Sequence, residues 1–162
     1  MPKSSNGFRY ILTLVESVSS YICAMPIRQL KGKPVSEAFR TFLGIMPQME
    51  IIQTDHGSAD FGSTFTQLCE SMGIEHSGST PRRSQANGIA EIANKLLQNQ
   101  LSRVCASNSG RKGWDISLPK AVQSLNMFHP YRSKLSRMQL IFSPFYHCAT
   151  GGIMGLSNPV QF

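Results

Sequence analysis

The sequence is short of acid. Nine Asp and Glu stand against sixteen Lys and Arg, a net charge of +7. That excess suits a polyanionic partner, nucleic acid first and an acidic membrane surface second, although charge governs association rather than fold. Long apolar runs are also missing. No stretch approaches the roughly 18–20 residues of a spanning helix, and the opening Met-Pro-Lys-Ser-Ser-Asn-Gly lacks the apolar segment of a secretory signal. Cysteine is sparse: Cys23, Cys69, Cys105 and Cys148 lie far apart and fit no metal-knuckle spacing, with or without the four histidines. They read as reduced, mostly buried thiols of an intracellular protein. Repeats are absent too. What remains, 162 residues of which 41% are apolar, fits one domain with a real core.

Local patterns predict an α/β chain. Residues 8–16 are rich in β-branched and aromatic types and read as a strand, and Tyr21 to Pro26 as its antiparallel partner across a turn at Ser17 to Ser20. After Pro34, Val35, Ala38, Phe39, Phe42 and Leu43 recur at helical spacing. Met49 to Thr54 reads as a central strand. Residues 63–72 read as a short helix with Phe65, Leu68 and Met72 inward, and Gly73 to His76 as a last strand. From Asn87 to about Ser107, Ile89, Ile92, Ala93, Leu96, Leu97, Leu101 and Val104 step by three and four, which predicts one apolar stripe on a long helix. Trp114 to Leu125 predicts a further helix and Leu135 to Pro144 a short closing one. Residues 149–162 carry three glycines and read as a frayed tail behind a domain spanning 1–148.

Two carboxylates sit at telling places. Asp55 stands where the central strand stops and a turn begins, and Glu91 in the first turns of the long helix, with thirty-five residues between them. Alone, each has an ordinary role, since Asp starts turns and Glu favours helix N-termini. A strand-end and a helix-face carboxylate that converge would instead make a site for a hard divalent cation such as Mg²⁺. Glu91 and Lys95 project together, one turn apart, a spacing that equally makes a solvated helix pair. Between the two acids, Gly78 to Ala86 has loop composition with Arg82 and Arg83 adjacent. So placed, they favour phosphate contact over an ordinary turn.

Taken together, Thr54-Asp55-His56-Gly57-Ser58, Phe61, Phe65, Leu68, Gly73-Ile74, Ser79-Thr80-Pro81, Gln85, Asn87-Gly88 and Glu91 resemble the catalytic core of retroviral and LTR-retrotransposon integrases. The spacing of Asp55 and Glu91 matches that family, and Trp114, Leu118-Pro119, Ala121 and Asn126 resemble its following helix. The resemblance implies a ribonuclease-H-like fold, a mixed sheet with flanking helices. It implies metal-dependent DNA strand transfer, with Asp55 and Glu91 binding Mg²⁺ or Mn²⁺ and Lys95, Arg82, Arg83, Gln85 and Asn87 contacting DNA. It also implies a homodimer or higher oligomer without a membrane role, and a nuclear location. The family uses three acids, the first on an opening, central strand. This sequence begins beyond that strand, so the sheet is expected to lack it. His56, where relatives often carry Asn, is a further departure. Two other functions stay open: a non-catalytic nucleic-acid- or protein-binding module derived from an integrase, and a ribonuclease-H-type nuclease.

Overall fold

In the computed structural model, residues 2–46, 49–54, 62–78, 84–108, 111–130, 133–142 and 153–157 are described. The first strand, β1 (Tyr10–Glu16), pairs antiparallel with β2 (Ile22–Ile27), Tyr10 opposite Ile27 and Val15 opposite Ile22. A helix, α1 (Gly32–Leu43), leads to β3 (Ile51–Thr54). Next come α2 (Gly62–Ser71), β4 (Glu75–Gly78), the long α3 (Ser84–Asn108), α4 (Trp114–Met127), α5 (Arg137–Ile141) and β5 (Ile153–Ser157). The five strands form one sheet in the order β2-β1-β5-β3-β4.

Every residue of β1 from Ile11 to Glu16 is buried, as expected of a strand covered on both faces. Alternation divides its side chains between two cores. Leu12 and Leu14 pack with Phe39 and Phe42 of α1 and Phe65 of α2. Ile11 and Val15 pack with Leu97 and Leu101 of α3 and Trp114 and Leu118 of α4. The sheet therefore lies between two helical layers. Trp114 anchors the second layer, fully buried, its indole N–H donating to the Pro2 carbonyl at 2.9 Å.

The turn between β1 and β2 is built by Glu16. Its carboxylate accepts the Ser19 backbone N–H and the Ser19 hydroxyl, both at 2.6 Å, and the Val18 N–H at 3.0 Å. Ser20 then takes a left-handed φ of 56°. On the free edge of β2, Asn126 of α4 accepts the Ile22 N–H at 3.0 Å and donates to its carbonyl at 2.7 Å. One side chain thus closes a backbone position left unpaired at a sheet edge.

Three expectations change. The expected tail contributes β5, which holds the central position of the sheet, antiparallel to β1 and parallel to β3. Sheet position is a long-range property, and five short residues give no local sign of it. Ile92 and Leu96, expected on the buried stripe of α3, are 63% and 36% exposed. The buried face runs instead through Ala90, Ala93, Leu97 and Leu101, whose two alanines suit close approach to the sheet. Met72, expected inward, is exposed because α2 ends at Ser71. Gly73, at φ 69°, then reverses the chain and Ile74 N–H closes on the Cys69 carbonyl.

Candidate active site

Three strands of the sheet, β5, β3 and β4, run parallel, so their carboxyl ends share one edge. Such an edge is where α/β sheets place ligands, because the loops that leave it converge there. β3 ends at Thr54, and the next residue is Asp55. The register neighbour of Thr54 on β4 is Gly78, from which residues 79–83, with Arg82 and Arg83, lead to the start of α3. Glu91 lies seven residues into that helix, about 10 Å along its axis. Topology therefore brings the stems of both loops and the first half of α3 to one edge.

Of the expected site residues, Glu91 and Lys95 are both exposed on α3, one turn apart. Gln85 and Asn87 lie in the first turn of α3, which begins at Ser84, three residues before the expected Asn87. The side chains of Gln85 and Asn87, and all of Asp55, Arg82 and Arg83, fall outside the described residues. Among the described residues no group of three or more His, Cys, Asp or Glu could hold a metal ion.

Asp55 and Glu91 supply oxygen donors, the chemistry that Mg²⁺ and Mn²⁺ favour. Glu75, the acid on neighbouring β4, lies opposite Ile51, three residues before Thr54. Leu156 of β5 stands opposite Thr54, and no residue from Ile153 to Ser157 is acidic. Glu16, paired in register with Met154, is 1% exposed and committed to its turn. His76 was not singled out by sequence reasoning. It sits on β4 with Nε2 at 2.9 Å from the Thr54 hydroxyl and Nδ1 at 3.1 Å from the Thr66 hydroxyl. No local pattern could have joined three residues from three elements.

The cysteines are as expected where described. Cys23, Cys69 and Cys105 are free and buried, and burial pushes the Cys23 thiol up to about 12 and the Cys69 thiol to about 11. A wall of the domain away from the site carries a cavity of about 260 Å³ between β2, α1, α4 and α5, lined by Tyr21, Phe42, Ile45, Val122 and Met138.

The layered mixed sheet with its flanking helices has a ribonuclease-H-like α/β fold. No protein-family model matches the chain. It is 29% identical over 136 residues to the retrovirus-related Pol polyprotein from transposon 412 of Drosophila melanogaster, covering 81% of this chain. The chain spans 11% of that polyprotein's length, and comparably small shares of retroviral Pol polyproteins. Its fold matches the catalytic core domain of BIV integrase with a TM-score of 0.73 at 18% identity, over 86% of this chain and 90% of that one. It also matches the HTLV-2 integrase catalytic core domain in complex with magnesium, in a trimeric form, with a TM-score of 0.68 at 22% identity over 85% and 88% of the two chains. The chain thus has the fold of retroviral integrase catalytic cores and is similar in sequence to retrovirus-related Pol polyproteins.

Proposed function

We propose that the domain binds DNA along α3 and the loop before it, and that Asp55 and Glu91 hold a divalent cation for DNA strand transfer. One observation carries this reading: Glu91 and Lys95 are exposed together on the helix that follows the loop from β4, while the adjacent parallel strand β3 ends beside Asp55. Lys95, Arg82 and Arg83 meet phosphates as cations, and Gln85 and Asn87 supply neutral hydrogen bonds at the helix start. When bound, Mg²⁺ or Mn²⁺ supplies the positive charge that such phosphoryl exchange requires. The lysine and the glutamate then serve different partners, the lysine a phosphate and the glutamate the cation. The magnesium in the HTLV-2 core supports the choice of ion. The apolar wall around Ile45 and Met138 serves self-association into a dimer or higher oligomer, and the domain works in the nucleus.

A second reading, a DNA-binding module without catalysis, is favoured by one feature. β5 carries no acid, Glu75 of β4 lies opposite Ile51 at the far end of the pairing from Thr54, and Glu16 is taken by its turn. The test uses Mn²⁺ titration and a strand-transfer assay with pre-processed DNA ends, on the wild type and on Asp55→Asn and Glu91→Gln. Mn²⁺ affinity falls in both variants and DNA affinity is retained, while wild-type transfer above background supports strand transfer and transfer at background supports the binding module. Mn²⁺ binding indifferent to both substitutions removes the site. Robust transfer abolished by Glu91→Gln would establish a third ligand elsewhere in the chain.

A further inference from the structure

We infer that His76 is a positioning residue that clamps the two stems of the loop carrying Asp55. The inference rests on the reading of Asp55 as a cation ligand, but the clamp itself is visible without it. Residues 55–61 connect the end of β3 to the start of α2. Thr54 is the last residue before that loop, and Thr66 lies in α2 just after it. The His76 ring stands between them, one nitrogen on each hydroxyl, at 2.9 and 3.1 Å. Its own strand, β4, is paired with β3, Ile52 opposite His76 and Thr54 opposite Gly78, so Thr54 and His76 face the same way.

The ring has little freedom to leave. Phe65 meets it edge-on, 5.2 Å between centroids at 86°, and Phe65 packs in turn on Phe39 at 5.1 Å. Thr54 is 1% exposed. A hydroxyl both gives and takes a hydrogen bond, so either neutral tautomer satisfies both threonines. Burial holds the imidazole below its usual pKa, which keeps it neutral at neutral pH. Fixing both stems of a short connection lowers the entropy cost of ordering a ligand group that the connection carries. A carboxylate that must meet Glu91 across a cation gains from that restriction, because ligand groups held in place bind without a further ordering cost.

The test compares His76→Ala, His76→Gln and His76→Asn, with Thr54→Val and Thr66→Val as shape-preserving controls. The Gln amide can stand in for Nε2 and keep Thr54, whereas the Asn amide can stand in for Nδ1 and keep Thr66. Two readouts are taken: amide hydrogen exchange of the peptide spanning 54–66, and Mn²⁺ affinity by titration. In His76→Ala, exchange in 54–66 quickens severalfold while that of β1 and α4 is unchanged, and Mn²⁺ affinity falls by roughly 10–100-fold, the range for lost supporting contacts at metal sites. Gln and Asn restore part of both. Thr54→Val and Thr66→Val reproduce the Ala effect in part, and they carry the test if His76→Ala does not fold. Unchanged exchange across 54–66, or exchange that rises equally over the whole domain, overturns the clamp. If wild-type Mn²⁺ affinity is indifferent to Asp55→Asn, the reading of the cation site fails while exchange still decides the clamp.

Discussion

At the scale of single residues, acids with similar addresses in the sequence have unlike fates. Glu16 ends a strand as Asp55 follows one, yet its oxygens are spent on Val18 and Ser19 inside a buried turn. Glu16→Ala would leave the Ser19 N–H without its acceptor, at a cost of about 1–3 kcal/mol. Urea denaturation should show that loss while DNA affinity stays at the wild-type level, and a stable variant that fails to bind DNA would contradict the structural role. His76 allows a prediction with a sign. Its pKa is lowered in the fold from an ordinary 6.5, so the unfolded chain takes up the proton first. The neutral ring's contribution is complete above about 6.5 and is lost as pH falls below that value toward the folded pKa. The wild type should therefore lose more stability between pH 7.5 and 5.5 than His76→Gln. Equal losses in the two proteins would show that His76 is not the group responsible.

At the scale of elements, β5 holds the sheet together. Without it, β2-β1 and β3-β4 are two separate pairs, because β5 is the strand between β1 and β3. Its register spans four residues of β1 and four of β3. At about 0.5–1.5 kcal/mol for each ladder hydrogen bond, its loss is comparable with the marginal stability of about 5–15 kcal/mol of a typical domain. A chain ending at residue 148 should lose its cooperative melt, followed by circular dichroism, and an unchanged melt would make β5 dispensable. This strand was the least legible part of the sequence. The other elements were readable because periodicity is local: the alternation of β1 and the three-four steps of α3 need only their own residues. Faces were less readable than elements, since Ile92 and Leu96 fit the apolar rhythm of α3 but lie beyond the edge of its contact with the sheet. Likewise, the motif around Asp55 and Glu91 suggests a kind of site, while the link from His76 to Thr54 and Thr66 depends on strand pairing that no window of sequence contains.

At the scale of the whole molecule, the charge balance meets the topology. A net +7 is spread over the chain, and much of it is remote from the site, as with exposed Lys31, Lys33 and Arg40 around α1. Such charges attract DNA in general without fixing where it lies. On the proposed reading, the charges that decide the path are Arg82, Arg83 and Lys95. In the sequence Arg82 and Arg83 precede α3 by two residues and one, and Lys95 is exposed farther along it. Each phosphate neutralised releases counterions, so the logarithm of DNA affinity falls against the logarithm of salt with a slope of about 0.9 per contact on duplex DNA. Replacing Arg82 and Arg83 together by alanine should lower that slope by nearly two, and Lys95→Ala by about one, uniformly across DNA sequences because phosphates carry no base identity. Lys33→Ala with Arg40→Ala, on the α1 side of the sheet, should leave the slope close to that of the wild type. Fluorescence anisotropy across a salt series measures all four proteins. If the α1 pair lowers the slope and the arginine pair does not, DNA crosses the opposite face of the sheet, and the carboxyl edge with Asp55 and Glu91 is not where its phosphates lie.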